Sequence, residues 1–589
     1  MTPVNQWVVA SPDPATVGSL QRELKLSPLA ASCLVNRGII SLAAASVFLE
    51  PRLKSLGDPF ALLDMDRAVD RLFEARTRNE SLVIFGDYDV DGVTSTALLT
   101  EVFAALGWTS FQYLPHRRDE GYGLSQAAVE NCLARYPVSL FLAVDCGSTA
   151  ITQVDWLNAS GVDVLVLDHH QISDPPPKAV ALVNPQRSPG TDAYCSAGLA
   201  FKLAHALVKR GRHLGLAGFD TFNLKPLLDL VALGTVADLV PLTGENRVLV
   251  HAGLERLEIS PRPGLVALKE VSRTRSPIGV HEVGFQLGPR LNASGRLETA
   301  EDSLRLLLST HLTDARRLAD TLNAQNRERQ EVEKRISIEA ITRIRAGFDP
   351  ARDFVIIEGD ASWHIGVVGI VASRVLREFN RPTLILGGDG PIWRGSGRSV
   401  PSFDLAAALK ECSGLLNKHG GHAMAAGLSI EPERVIELRS RLNALAREQL
   451  TVFQLRPEVR VDAALLLREI DLSTVADLRR LEPFGMGNPL VQLAVIGVTH
   501  ERPPQRLKEV HWKFWLTDGP SVVETVWWGA GDRVPPEGRF DAVVVPEVGD
   551  FGGRRFLQLR LLDWRPNREI NQASESLKPD DVTETVKRV

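Results

Sequence analysis

The feature that most constrains the fold of this sequence is a recurring pattern, in which an apolar run of strand length ends in polar or acidic residues. The pattern occurs in SLVIFGDYDVDG (81–92), SLFLAVDCGS (139–148) and VDVLVLDHHQ (162–171), and helix-like segments separate the runs. Alternation of strands and helices predicts a parallel sheet, and ligands of such sheets bind beyond the carboxyl ends of the strands. We therefore expect an α/β lobe whose acidic residues gather at one edge of its sheet.

A long helix is predicted at 313–346, where TDARRLADTLNAQNRERQEVEKRISIEAITRIRA contains no glycine or proline. Apolar residues recur at helical spacing near both ends, whereas the middle, NAQNRERQE, is polar all round. A helix that is polar on every face is typical of a connector that crosses solvent between two bodies, and a coiled coil would need apolar positions there. The pattern favours a connector between two lobes.

A second α/β segment and then a segment rich in β patterns follow this helix. The first contains DFVIIEGDASWHIGVVGIVASRV and KHGGHAMAAGLSI, and the second contains KFWLTD, SVVETVWWGA, DAVVVPEV and RRFLQLRLLDW. The predicted organisation is an N-terminal helical segment (1–60), a first α/β domain (61–260), a segment with further motifs and the connector helix (261–346), a second α/β domain (347–450), a β-rich domain (451–568) and a charged, disordered tail (569–589).

The composition narrows the class of protein. No apolar run reaches the ~18–20 residues that span a bilayer, and the start, MTPVNQWVVASPDP, lacks the pattern of a secretory signal. The five cysteines are scattered and form no CxxC pair, which favours reduced thiols in the cytoplasm over disulfides or a zinc cluster. The formal net charge of −5 gives no overall attraction to nucleic acid, so binding would need a local basic groove.

Ionisable residues at the predicted strand ends form the strongest chemical signal. They are Asp87, Asp89, Asp91, Asp145, Asp168, His169, His170 and Asp238. Carboxylate oxygens with one or two imidazoles suit Mn²⁺ or Mg²⁺, and histidine favours manganese. Shared aspartates can hold two divalent ions ~3.5–4 Å apart, a pair that activates a bridging water and neutralises the charge of a phosphate under in-line attack.

The sequence of the acidic loop, taken alone, allows two other interpretations. DxDxDG could be a solvated surface turn, in which water screens the repulsion between the carboxylates. It could also begin a calcium loop, but such a loop needs a glutamate near position 12, and counting from Asp87 places Leu98 there. The DHH run and the further aspartates favour a metal site over the turn.

The motifs, taken in order, resemble a known family. GDYDVDG, VDCGS, DHH, GTVADLVPL and GPRLNASGRL resemble the DHH phosphoesterase superfamily, and WHIGVVGIVASR and GGHAMAAG resemble its DHHA1 substrate-binding domain. PHRRDEGYGLS and LEPFGMGNP narrow the resemblance to the RecJ family of bacterial single-strand-specific 5′→3′ DNA exonucleases. The resemblance covers roughly residues 60–565. It implies two α/β lobes, a parallel-sheet DHH domain and a DHHA1 domain, joined by a long helix, with a C-terminal OB-fold barrel.

The resemblance also implies roles for the acidic residues. The metal ligands would be Asp87, Asp89, Asp91, Asp145, His169 and Asp238, with Asp145 bridging two ions of Mn²⁺ or Mg²⁺ and Asp87 either binding metal or orienting the other ligands. His170 would contact the scissile phosphate or assist the leaving oxygen, and the alternative is a hydrogen bond that supports the ligands. The catalytic set would be Asp91, Asp145, His169 and His170. Many relatives have a histidine where this chain has Phe85, which predicts that one ion is held more weakly.

A second set would bind the substrate. It consists of Arg290, Asn292, Arg296, His364, Ser396, Arg398 and His422. The planar guanidinium groups suit phosphate, and the glycine-rich RGSGRS (394–399) could cradle a terminal phosphate through backbone N–H groups. The alternative for His364 and His422 is a structural role, which a lone histidine has more often; their glycine neighbours favour phosphate contact.

The implied activity is metal-dependent 5′→3′ hydrolysis of single-stranded DNA to 5′-mononucleotides, in DNA repair and recombination. Six aromatic residues of the β-rich segment are available to stack on bases, of which most would form the barrel core and one or two would contact DNA: Trp512, Phe514, Trp515, Trp527, Trp528 and Phe556. A helicase and a single-strand-binding protein are partners that the family implies. The rival hypotheses are a phosphodiesterase for very short RNAs or cyclic dinucleotides and a catalytically inactive replication scaffold; the β-rich domain argues against the first and the intact acidic set against the second.

Overall fold

The computed structural model describes residues 5–116, 119–121, 123–297, 299–388 and 390–567. The chain divides into two compact units. The first unit contains Ser46–Pro457 together with Glu482–Pro489, and the second contains Asn5–Ala45, Glu458–Leu481 and the residues from Leu490 onward. The predicted disordered tail at 569–589 lies outside the described residues. No helix in the described part of the chain is long and apolar enough to cross a membrane.

The N-terminal segment is mostly helical, as the sequence indicated. Its elements are β1 (Gln6–Val9), α1 (Pro14–Leu24), α2 (Pro28–Asn36) and α3 (Leu42–Leu49). The strand β1 was not predicted, and it pairs in parallel with Glu458–Val461. Because this pairing joins residues far apart in sequence, the local pattern of four residues gave no sign of it.

The first unit begins with a Rossmann-like alternation of helices and strands. Its elements are α4 (Met65–Thr77), β2 (Leu82–Phe85), α5 (Val90–Leu106), β3 (Ser110–Tyr113), α6 (Gln126–Arg135), β4 (Leu140–Val144), α7 (Ile151–Ala159), β5 (Asp163–Leu167), β6 (Ala181–Val183), α8 (Ser196–His213), α9 (Leu228–Ala237), α10 (Gly244–Ile259) and α11 (Pro263–Ser272). All strands run parallel in the order β3-β2-β4-β5-β6. The predicted parallel sheet is confirmed.

The sheet has a topological switch point between β2 and β4. From β2 the chain continues to β3 on one side, and from β4 it continues to β5 on the other side. Neighbouring connections that leave in opposite directions open a crevice beyond the carboxyl ends of the two strands. Both strands are completely buried, which anchors the loops that follow them.

A helical segment leads out of this lobe and includes one π-helical turn. Its elements are α12 (Val280–Glu282), the π-turn (Val283–Leu287), α13 (Gly288–Leu297), α14 (Glu301–Leu308) and α15 (Leu312–Gly347). The long helix was predicted to within one residue at each end, but its polar middle is not solvated on every face, because Asn323, Asn326 and Arg329 are buried. Asn326 and Glu333 are 1 % and 3 % exposed, and both accept hydrogen bonds from Arg329 of the same helix. Glu333 also pairs with Arg374 of α16.

The second lobe of the first unit is a mixed sheet with helices. Its elements are β7 (Ile356–Asp360), α16 (Val368–Phe379), β8 (Thr383–Gly387), β9 (Trp393–Arg398), α17 (Leu405–Glu411), β10 (Lys418–His422), β11 (Ala425–Ile430) and α18 (Val435–Gln449). The strand order is β10-β11-β9-β8-β7, in which only β7 and β8 pair in parallel.

The second unit is a β-barrel with short additional elements. They are β12 (Glu458–Val461), β13 (Ala463–Leu465), α19 (Leu472–Arg479), β14 (Leu493–Leu507), β15 (His511–Thr517), β16 (Val522–Trp527), β17 (Phe540–Phe551) and β18 (Arg554–Pro566). Five strands close in the order β14-β15-β16-β18-β17, and β17 pairs back onto β14. The predicted barrel is confirmed.

Candidate metal centre

The acidic motif GDYDVDG is half loop and half helix. Strand β2 ends at Phe85, and α5 begins at Val90 with Asp89 as its N-cap. The carboxylate of Asp89 accepts hydrogen bonds from the backbone N–H groups of Asp91 (2.9 Å) and Gly92 (3.1 Å). The positive end of the helix dipole therefore offsets part of the charge that this loop concentrates.

Asp91 is fixed by the start of a second helix. Its carboxylate is 2 % exposed and accepts the backbone N–H of Ser196 at 2.6 Å and that of Ala197 at 2.8 Å, both in the first turn of α8. Gly234 of α9 lies so close that a Cβ there would be 2.8 Å from an oxygen of Asp91. These contacts hold the carboxylate in one position.

Ser196 is a functional residue that the sequence analysis missed. Its backbone binds Asp91, and its hydroxyl donates to Oδ1 of Asp145 at 3.0 Å. The residue thus orients two acidic side chains at once. The only signal in the sequence is a run of small residues, SAG, at the start of an apolar helix.

Asp145 and the DHH run follow the next two strands. Asp145 comes directly after β4, is 1 % exposed and adopts a left-handed backbone conformation with φ +64°. Asp168 follows β5 and accepts from the backbone N–H of Ser148 at 3.0 Å; its other oxygen lies 2.8 Å from Nδ1 of His170. Asp168 therefore orients the second histidine of the motif.

His169 lies at the centre of the acidic groups. Its Nε2 is 3.3 Å from Asp145, 3.6 Å from Asp238 and 3.8 Å from Asp91. This nitrogen is buried and has no hydrogen-bond partner among the described residues.

Asp238 was predicted at a strand end, which is wrong, since it caps the C-terminus of α9. The run DLVALGTVAD is apolar throughout, so its periodicity could not distinguish a buried strand from a buried helix.

The predicted ligands come together in three overlapping groups. Within each group the candidate ligand atoms lie within 4.8 Å of one another: Asp87, Asp89 and Asp145; Asp91, His169 and Asp238; and Asp145, His169 and His170. Carboxylate and imidazole groups in this number suit Mn²⁺ or Mg²⁺. A bound cation would provide a partner for the buried Nε2 of His169 and would offset the repulsion between the carboxylates.

This repulsion contributes to the raised pKa values of the buried aspartates. Burial, and then the neighbouring aspartates, raise the pKa of Asp145 well above its ordinary value and that of Asp238 to about 9. Burial lowers the pKa of His169. Burial also lowers that of His170, but the hydrogen bond that its ring donates to Asp168 and the charge of that carboxylate outweigh this effect and raise the pKa to about 9. Without cations, the acidic groups retain protons that divalent ions would displace.

Family models match three parts of the chain. They are the DHH family N-terminal domain at residues 81–235, the DHHA1 domain at 352–448 and the RecJ OB domain at 461–563. The single-stranded-DNA-specific exonuclease RecJ of Bacillus subtilis (strain 168) is 36 % identical over 95 % of this chain and 70 % of its own length. This chain belongs to the RecJ family. RecJ of Escherichia coli (strain K12) is 36 % identical over 81 % of this chain and 86 % of the relative.

The fold agrees with solved RecJ structures. The crystal structure of RecJ from Thermus thermophilus in complex with Mn²⁺ matches with a TM-score of 0.81 and 31 % identity, over 95 % of this chain and 79 % of that one. The complex of the same protein with Mg²⁺ matches with a TM-score of 0.76 and 29 % identity, over 95 % and 78 %. The predictions of the family, the fold class and divalent-metal cofactors are confirmed.

The first group of predicted substrate residues in this RecJ-family chain lies on α13. Oδ1 of Asn292 accepts the N–H of Val90 at 3.1 Å, so this side chain connects α13 to the first turn of α5 beside the acidic loop. Nε of Arg290 donates to Asn323 of α15 at 3.0 Å. No carboxylate pairs with Arg290 in the described part of the chain. The side chain of Arg296 lies outside the described residues.

The second group lies on the other sheet. Ser396 and Arg398 are on β9, and a Cβ at Gly369, in the first turn of α16, would be 3.2 Å from the hydroxyl of Ser396 and 3.4 Å from Nη2 of Arg398. His422 is exposed on β10, and exposed His364 lies in the loop before α16, where Nδ1 accepts from Gly366. The predicted residues thus include the metal cluster at the first sheet and a second group at the other sheet. Ser396, Arg398 and the first turn of α16 form this second group, the cationic cradle.

Proposed function

We propose that this RecJ-family protein is a metal-dependent 5′→3′ exonuclease that hydrolyses single-stranded DNA to 5′-mononucleotides, acting in DNA repair and recombination in the cytoplasm. The observation that carries the proposal is the cluster of five aspartates and His169, the nitrogen of which has no partner among the described residues. A helicase and a single-strand-binding protein are partners consistent with this activity.

The residues divide between two ions. Asp91, His169 and Asp238 would hold one ion, and Asp87, Asp89 and Asp145 would hold the other. Asp145 would serve both, because its Oδ1 also lies 3.3 Å from Nε2 of His169. Divalent ions in such a set supply Lewis acidity, which lowers the pKa of water and offsets charge on a phosphate. Ser196 and Asp168 orient the acidic and imidazole groups, and His170 presents a protonated ring to the scissile phosphate.

The cationic cradle on the second sheet binds the phosphate at the 5′ end. Burial lowers the pKa of Arg398, and among the described residues no carboxylate lies within ion-pair distance of its guanidinium. A partly buried cation without an anion is costly, and a phosphate group would neutralise it. Ser396 and the backbone at the start of α16 add hydrogen-bond donors beside it. Arg290 on α13 is a separate candidate for phosphate binding.

The barrel provides a surface for the rest of the strand. The guanidinium carbon of Arg502 lies 3.4 Å from the centre of the Trp515 ring, and Nζ of Lys513 lies 5.0 Å from the same ring. Trp528 is 52 % exposed. Aromatic rings beside cations suit single strands of any sequence, because every base can stack and every nucleotide carries a phosphate. Phe514 and Trp527, by contrast, are buried in the barrel core.

The test uses a 5′-phosphorylated oligonucleotide with an internal label, incubated with Mn²⁺, beside a blunt duplex of the same sequence. We expect stepwise release of mononucleotides from the 5′ end of the single strand only. Asp145→Ala removes a ligand shared by two groups and should reduce the rate by about 10²–10³-fold or more. Cleavage confined to fragments of two to four nucleotides would instead support the short-RNA phosphodiesterase, and binding without cleavage would support the scaffold.

A further inference from the structure

The segment EPFGMGNP (482–489) contains none of the proposed metal ligands or substrate-binding residues. Along the chain it lies between two stretches of the second unit, yet its eight residues belong to the first unit. We infer that this segment is a positioning element for the metal ligand Asp238. The inference rests on the proposed function, because it takes Asp238 to be a ligand.

The segment forms a compact turn. The backbones of Gly485 and Asn488 pair with each other, with N···O distances of 2.8 Å and 3.1 Å. The side chain of Asn488 is completely buried and donates to the carbonyl oxygen of Pro483 at 2.9 Å. A turn closed by its own hydrogen bonds presents a fixed surface to whatever packs against it.

This surface contacts the residues that follow Asp238. The N–H of Leu242 donates to the carbonyl oxygen of Met486 at 2.7 Å. Gly487 has φ +73°, and a Cβ there would be 3.1 Å from Cβ of Pro241 and 3.3 Å from Cγ2 of Thr243. Glycine is required at this position both by the backbone conformation and by the close approach.

A buried arginine fastens the other end of the turn. Arg247 of α10 is 1 % exposed, and its guanidinium donates to the carbonyl oxygens of Glu482 (2.5 Å) and Pro483 (3.3 Å). It also lies 3.7 Å from the centre of the Phe48 ring. A guanidinium held by carbonyl groups in the interior fixes their positions, because leaving its donors unpaired there would be costly.

The residues between α9 and α10 are therefore held from both sides. Asp238 ends α9, Leu239 adopts φ +61°, and α10 begins at Gly244. The contacts of the turn fix Pro241, Leu242 and Thr243, which lie three to five residues beyond the ligand. Two backbone N–H groups donate to the carboxylate of Asp91, whereas among the described residues none donates to that of Asp238. The position of the Asp238 carboxylate therefore depends on this peptide segment.

The experiment compares Gly487→Ala with Gly161→Ala in the full-length protein. Gly161 has φ +78°, and no atom lies within 4 Å of the position that a Cβ would take there, so the control carries the same backbone strain without the contact. Mn²⁺ binding is measured by calorimetry without DNA, and thermal unfolding is measured in EDTA. We expect Gly487→Ala to weaken one Mn²⁺ ion by about 10–100-fold, as outer-shell changes do, and Gly161→Ala to leave both ions unchanged.

A double-mutant cycle with Asp238→Ala separates positioning from general stability. If the turn acts through Asp238, Gly487→Ala has no further effect on Mn²⁺ affinity in the Asp238→Ala background. Wild-type affinity in Gly487→Ala, or an additive loss in the double variant, would overturn the inference. If Gly487→Ala does not fold, Gly485→Ala replaces it. The three atoms nearest to its Cβ would be side-chain atoms, two of Leu242 at 2.6 Å and 3.2 Å and one of Val280 at 3.8 Å. A wild-type protein that binds Mn²⁺ but degrades no DNA would refute the proposed function alone.

Discussion

Two buried polar clusters in the first unit differ in the sign pattern of their charges. In the middle of α15, Glu333 lies between Arg329 at 2.7 Å and Arg374 at 2.5 Å, and Arg329 also donates to Asn326. Beyond the parallel sheet, by contrast, five aspartates surround one histidine. The first cluster supplies its own counter-charges, whereas the second does not.

The balance of charge within a buried polar cluster indicates whether the cluster stabilises the fold or binds a ligand. Opposite charges in contact offset the cost of desolvation, so the α15 cluster is stable as it stands. Like charges raise that cost, and the raised pKa values of Asp145 and Asp238 are its consequence. A cluster that lacks its counter-charge is therefore a site for one, and in this molecule the missing charge is a divalent cation.

Removal of a carboxylate should consequently have opposite effects in the two clusters. The largest effect is expected for Glu333→Ala, which leaves Arg329 buried without its anion. We expect the free energy of unfolding to fall by about 3–5 kcal/mol, with kcat retained at temperatures where the variant is folded. Chemical denaturation measures the loss, and Glu331→Ala, on the exposed face of the same helix, serves as the control. A loss below that of the control would show that the α15 cluster contributes nothing to stability.

In the metal cluster, Asp238→Asn should stabilise the metal-free protein by a few degrees in Tm. Because the pKa of Asp238 is about 9 in the folded state and near 4 when unfolded, the folded state holds more protons between these values. The stability of the wild type in EDTA should therefore fall as the pH rises towards 9. Asp238→Asn should reduce that fall, whereas Asp155→Asn, at an exposed position on α7, should not. Equal pH dependence in all three proteins would contradict the repulsion inferred here.

The same comparison explains what could be predicted from the sequence. The strands and the residues at their ends were predictable because apolar runs and DxDxDG are local signals. The burial of one face of α15 was not, since Asn323 and Glu333 contact Arg290 and Arg374, which belong to other helices. Ser196 was missed for a related reason, because its contact with Asp91 uses the backbone N–H, which has no side-chain signature.

The smallest effect is expected at the boundary of the metal cluster, where one pair does carry opposite charges. Asp168 and His170 are 2.8 Å apart, and this contact keeps the pKa of His170 at about 9 despite burial. If protonated His170 acts on the phosphate, kcat/KM with saturating Mg²⁺ should fall as the pH rises through about 9. Asp168→Asn should move this fall to lower pH by about one to two units, since a charge-assisted hydrogen bond contributes ~1.5–3 kcal/mol.

The activity at pH 6 should change little in Asp168→Asn, because His170 remains largely protonated there. His170→Gln is the matched control, since it removes the ionisation and should abolish the alkaline fall altogether. If the fall persists unchanged in His170→Gln, another group titrates in that range and His170 is not the acid. If Asp168→Asn retains the wild-type profile, the pair does not set the charge of His170. The metal cluster would then contain no internal counter-charge of its own, unlike the cluster on α15.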